Sequence, residues 1–246
     1  MGVFWKACFR SHLPSRLPLG KPSTIAWAVG LKPFKDVLRT TVHQPGNYYI
    51  QDELNPSLQV VVATLSTGPV GIGDKINMTD MTLLRPCMMA NGTILAPSKA
   101  ATAIEVSYTP AAPHGEVWST YSRTRSQGAL LAHYVLAAAM TADYTLQPFM
   151  LNLVPGSQWR VAKFDTTWSL TELIFNSSSS LTLPSNSPQI ARNFFGWNLV
   201  ALLPQQSNGW VLLGEVDKYV GLSWRRLWSV DASSASDLKV TVGGRL

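Results

Sequence analysis

The sequence predicts an α+β protein in which strand–helix units of the α/β-barrel kind precede an antiparallel β-sandwich. Three observations carry that reading. Strand-like and helix-like runs alternate between residues 23 and 96, as they do in α/β folds. From about Pro97 the chain changes to short alternating or β-branched runs separated by turn residues, the pattern of a sandwich. Nine tryptophans and seven tyrosines, many for 246 residues, suit a strand-rich core. The same rings also serve proteins that stack on sugars.

Taken in order, residues 1–22 have no hydrophobic period and hold Pro14, Pro18 and Pro22, so they read as a disordered leader. Ser23 caps an expected short helix that runs through Val29 and stops at Gly30. The β-branched run from Asp36 to Val42 reads as a strand, and His43-Gln-Pro-Gly-Asn47 as a loop. Asn55-Pro56 is a helix start, with apolar residues at Leu58, Val61, Val62 and Leu65 and a stop at Gly68. Pro69 to Ile72 reads as a short strand. Thr79 or Asp80 opens a second helix, which Pro86 is expected to end near Arg85. This supplies about two of the eight units of a barrel.

In the second half, strands are expected at Thr102–Tyr108, Gln158–Phe164, Leu170–Phe175, Gly209–Glu215 and Leu238–Val242. Pro155-Gly156, Asn208-Gly209 and Ser233-Ser234 mark turns, and Ser177–Ser180 with Pro184–Pro188 a surface loop. Gln127 to Met140 is ambiguous: its Ala and Leu content favours a helix, its place between strands a strand.

The net charge of +6 is concentrated at one end. Seven basic residues in the first forty face one acid, Asp36, and the remaining 13 basic residues meet 13 acids. A folded basic face, the footprint of a nucleic-acid binder, is not expected. Cys8 and Cys87 form no disulfide framework or metal cluster, so Cys87 is expected free and buried. No apolar stretch approaches the ~20 residues of a membrane span. The opening run from Met1 to Leu19 is broken by Lys6, Arg10, Pro14 and Pro18 and reads poorly as a signal peptide.

Gly68 to Lys75 superficially resembles a phosphate loop. Asp74 stands directly before Lys75, and Ile76 replaces the Ser or Thr that such a loop needs, so a carboxylate would repel the phosphates. No His or Cys spacing fits a metal site, no nucleophile elbow is present, and no cofactor is expected. Asp36 and Asp74 stand out because each lies at or just past a strand of an α/β unit, where barrels place their sites. Each also fits a structural role in local pairing or capping. Asn77, Asn91 and Asn176 open Asn-x-Ser/Thr triplets, Asn176 being the best placed for glycosylation.

The order Asp36, Leu58–Leu65, Gly68-Pro69-Val70, Asp74-Lys75, Leu83-Leu84 and Asn91-Gly92-Thr93-Ile94-Leu95 resembles the last two strand–helix units of the raffinose-synthase and α-galactosidase-like glycosidases. The likeness covers about 65 residues. It implies a remnant of a (β/α)8 barrel over residues 23–96 and the family's C-terminal β-sandwich over 97–246, where Glu215-Val-Asp217-Lys218-Tyr219 is similar in style. It further implies an α-linked sugar as partner, with Asp36, Asp74 and Lys75 as substrate-binding residues. For the full-length parent a secreted or lysosomal setting is compatible with it. Retaining glycosidases need two carboxylates across the scissile bond. The resemblance places both before residue 31, yet residues 1–35 contain no Asp or Glu. The expectation is therefore the C-terminal portion of a glycoside hydrolase-like protein, with no catalytic residue in this chain. The alternative is a sugar-binding or structural sandwich, with Trp197, Trp210, Tyr219 and Trp224 as exposed, coplanar stacking platforms.

Overall fold

The computed structural model describes residues 20–33, 35–47, 52–153, 156–186 and 196–243. The expected leader lies almost wholly outside them, as do Cys8 and the Pro155 turn position. The first helix, α1 (Gly20–Ala28), begins three residues earlier than Ser23. It ends as expected at Gly30, whose φ of +74° reverses the chain. Gly30 N donates to Trp27 O at 3.0 Å and Leu31 N to Ala26 O at 2.7 Å, the paired bonds of a glycine-terminated helix.

β1 (Lys35–Leu38) and β2 (Val70–Ile72) form a parallel pair joined through α2 (Pro56–Leu65). Parallel neighbours need a crossover, and α2 provides it. Seven of its ten residues are buried, including Leu58, Val61 and Leu65. A helix apolar on most sides is stable only when covered. The turn after α2 passes close to Pro33: a Cβ on Gly68 would lie 1.6 Å from the Pro33 carbonyl oxygen, so only glycine fits. β1 stops at Leu38 rather than at Val42. Val37 takes a positive φ of 55° and the register slips between Lys35 and Leu38. Beyond Leu38 the backbone finds a side-chain partner instead of a ladder, as described below.

The helix expected to open at Thr79 or Asp80 is α3 (Met81–Leu84), with Asp80 at its N-cap. Pro86 does not end it. The chain tightens into a 3₁₀ turn over Arg85–Cys87, where proline sits in the first turn and loses no bond. Cys87 is free and buried.

A six-stranded antiparallel sheet dominates the rest. Its strands are β3 (Thr102–Ala103), β4 (Glu116–Arg123), β5 (Leu130–Ala138), β7 (Trp159–Phe164), β8 (Trp168–Phe175) and β10 (Trp197–Pro204), in the order β3-β4-β5-β10-β7-β8. Two small antiparallel pairs accompany it: β6 (Tyr144–Leu146) with β9 (Leu181–Leu183), and β11 (Leu227–Asp231) with β12 (Lys239–Val242). The fold is thus mixed α+β, mostly strands with few helices, and its antiparallel sheet is consistent with a β-sandwich.

Both faces of the central strands are covered. One face carries Trp118, Tyr134, Leu136, Leu199 and Ala201 and shares a cluster with α2, Tyr219 and Leu222. The other carries Val117, Val135, Val161, Val200 and Leu202 and packs with Leu146, Leu151, Leu181 and Leu183. Double coverage explains why β5 reads as a continuous apolar run rather than an alternating one. The strand outcome for this segment follows from pairing on both sides, with β4 and β10, which overrides the Ala-rich helix preference.

Two expected strands are corrected. Only Thr102 and Ala103 of the 102–108 run pair, and Glu105–Tyr108 is a 3₁₀ turn. Gly209–Glu215 is not a strand; its Val211, Leu212 and Leu213 pack as a cover on the first cluster. The segments on either side of residue 96 share that cluster and are tied by hydrogen bonds. Ala101 N donates to Leu65 O at 2.9 Å, Trp197 Nε1 to Ser57 Oγ at 3.1 Å, Tyr219 N to Pro86 O at 2.9 Å and Ser223 Oγ to Ala96 O at 2.8 Å.

Candidate functional site at the parallel strand ends

The loops that follow β1 and β2 meet at the C-terminal ends of the two parallel strands. In α/β folds this is where ligands bind, because side chains from successive loops converge there. Gly73, directly after β2, leaves no room for a Cβ, which would lie 2.4 Å from Val37 Cγ1. That close approach lets Gly73 N donate to Leu38 O at 2.8 Å and aims the next residue, Asp74, at the loop after β1.

Asp74 is the hub. Its Oδ1 accepts from Thr40 N at 2.8 Å and from Gln44 Nε2, and its Oδ2 accepts from Thr40 Oγ1 at 2.6 Å. The Gln44 amide is buried and used completely. Besides Asp74 it donates to Thr41 Oγ1 at 2.8 Å, and its Oε1 accepts from Lys75 N at 2.8 Å and Asn47 Nδ2 at 2.6 Å. Thr40 Oγ1 also accepts from Asp80 N at 2.7 Å, which links the cluster to the start of α3. The exposed Lys75 side chain folds back, its Nζ donating to Pro45 O at 2.6 Å.

Asp80 completes this rim in a structural role. Its Oδ1 accepts from Thr82 Oγ1 at 2.6 Å and Thr82 N at 2.8 Å, capping α3. The Thr82 hydroxyl, and then the backbone bonds, hold its carboxyl below the usual carboxylate range.

A carboxylate offers about four acceptor positions and an ammonium three donors. Asp74 fills three positions and Lys75 one donor among the described residues. What remains is about one acceptor position beside two N–H donors, on a scaffold of amides and hydroxyls. Such a set suits neutral hydroxyl-bearing ligands rather than multiply charged ones. Asp36 lies on β1, and its side chain is outside the described part of the structure. The structure therefore brings Asp74 and Lys75 together with Thr40, Gln44 and Asn47. These three were missed from sequence, where the loop carried no signal beyond Pro45-Gly46.

The four-ring platform does not form. Tyr219 is buried, and Trp197 meets it edge-on at an interplanar angle of 78°. Trp210 is exposed and Trp224 partly buried. Rings that cross at that angle make a core contact and present no flat shelf. Among the described residues no group of three or more His, Cys, Asp or Glu could hold a metal ion, and no helix is long and apolar enough to cross a membrane. No protein-family model matches the chain, and no curated protein matches it.

Proposed function

We propose that this chain is the C-terminal portion of a glycoside hydrolase-like protein acting on α-linked sugars, and that it is not catalytic by itself. The observation that carries the reading is the parallel β1–α2–β2 unit with Asp74-Lys75 directly past β2. Such a unit is one repeat step of a (β/α)8 barrel, and its C-terminal end is the side on which barrel enzymes bind substrate. The residue order from Asp36 to Leu95 supports the glycosidase-like assignment. Asp74 and Lys75 contact sugar hydroxyls with the acceptor position and donors left over from the loop network, while Thr40 and Gln44 hold them in place. Chemistry would need a second, facing carboxylate; Asp80, the nearest acid along the chain, is occupied by its helix cap.

The test is titration of the purified chain with a methyl α-galactoside, alongside an assay of α-galactoside turnover. Weak binding without turnover is expected, with binding lost in Lys75→Met. Turnover that disappears in Asp74→Ala would overturn the non-catalytic reading. A sugar-binding or structural sandwich is the second reading; the exposed rings of Trp210 and Trp228 favour it.

A further inference from the structure

A second concave site lies at the opposite end of the parallel pair. Gly30 to Lys32 precede β1, Thr67 precedes β2, and these residues with Ala96, Pro97 and Ser98 enclose a cleft of about 120 Å³. Two indoles wall it: Trp27 from α1 and Trp224 from the segment before β11. At about 120 Å³ the cleft is smaller than the about 150 Å³ cavity that encloses a benzene ring, so it seats at most one ring, part of which stays outside the cleft.

The polar character of the walls is one-sided. Lys32 and Arg225 line the cleft, and among the described residues no carboxylate does. The Arg225 guanidinium is held 5.6 Å from the centre of the Trp224 ring and donates through one NH to Ile94 O at 2.8 Å. A guanidinium has five N–H donors, so an edge remains for an anion. Lys99 stands over the Trp27 ring at 5.6 Å, anchored to Thr102 Oγ1 at 3.1 Å. Each indole thus holds a cation over one face, and it is the guanidinium's remaining N–H groups that form charge-assisted bonds to a carboxylate or phosphate.

We infer that this cleft binds a single sugar ring bearing an anionic substituent. The pyranose stacks on Trp27 and Trp224, and the phosphate or carboxylate meets Arg225 and Lys32. The inference extends the sugar-handling reading to a separate site, and does not depend on the strand-end cluster.

The test is titration of the full chain with galactose 6-phosphate, galacturonate, galactose and inorganic phosphate. Both anionic sugars are expected to bind, with galactose and phosphate each weaker by at least about tenfold, since two kinds of contact are split between them. Lys32→Met, at an exposed position, should weaken the anionic sugars about fivefold or more and flatten their salt dependence. Trp27→Ala should abolish binding. The titrations are run in the Lys75→Met background, where galactose held at the other strand ends no longer contributes, and there both anionic sugars should still bind to the cleft. The inference is overturned if galactose binds as well as its phosphate, or if inorganic phosphate matches the sugar phosphate. It is also overturned if the folded chain binds none of them, or if Lys32→Met and Trp27→Ala change nothing.

Discussion

Acidification should destabilise this protein through one histidine. His133 lies on β5 between two rings, Tyr121 at 5.7 Å and Trp159 at 5.7 Å. Its Nδ1 is buried without a hydrogen-bond partner among the described residues. Burial first, and then the charges of Arg123 and Lys99, push its pKa down from 6.5 to about 4. Protonation would create a buried N–H donor with nothing to accept it. Between pH 6.5 and about 4 the unfolded chain holds a proton that the folded chain refuses. Stability is therefore full above pH 6.5 and falls as the pH drops through that window. At pH 4.5 the unfolded histidine is almost fully protonated and the folded one about a quarter so, which corresponds to a loss of about 2–3 kcal/mol relative to pH 7.5. Urea unfolding at the two pH values, for the wild type and for His133→Phe, isolates this contribution, because carboxylate titration is common to both proteins. The wild type should lose about 2–3 kcal/mol more than the variant on going to pH 4.5. Equal losses in the two proteins would refute the reasoning.

Other expectations concern how the two halves are joined. Leu58→Ala removes an α2 side chain that is 1 % exposed and should cost about 2–5 kcal/mol, read as one cooperative urea transition for the whole chain. In native-state hydrogen exchange, α2 and β5 should open with the same free energy, because they share a core; selective opening of α2 would contradict that. Gly68→Ala forces a methyl group into the Pro33 carbonyl and should cost more than about 2 kcal/mol or prevent folding, as followed by circular dichroism. Ser57→Ala strips the partner from Trp197 Nε1 and should cost about 1 kcal/mol in urea unfolding.

The sequence made α2 legible because its signals are local: Asn55-Pro56 opens it and its apolar spacing runs to Leu65, although Ser66 is its C-cap and Thr67, with a φ of 63°, takes the left-handed turn expected of Gly68. The same holds for the turn at Asn208-Gly209, where Gly209 takes a φ of +84°. Elements decided by distant partners were less legible. β1 ends early because Thr40 finds its acceptor on Asp74, 34 residues on, and nothing near Thr40 announces that bond. Gly209–Glu215 has a strand's composition but pairs with no strand among the described residues, and its apolar residues cover the core instead. Within the candidate site Asp74 and Lys75 stood out as charged residues past a strand. Gln44, whose buried amide organises the cluster, is an uncharged loop residue whose importance lies entirely in contacts up to 31 residues away.

The central claim is that the strand-end cluster after β1 and β2 handles sugar hydroxyls. The measurement that bears on it most directly is an amide-resolved NMR titration of the chain with methyl α-galactoside. The account predicts shifts concentrated at Thr40, Asp74 and Lys75 that disappear in Lys75→Met. A folded protein whose spectrum does not move, or moves only at residues far from that cluster, would contradict it.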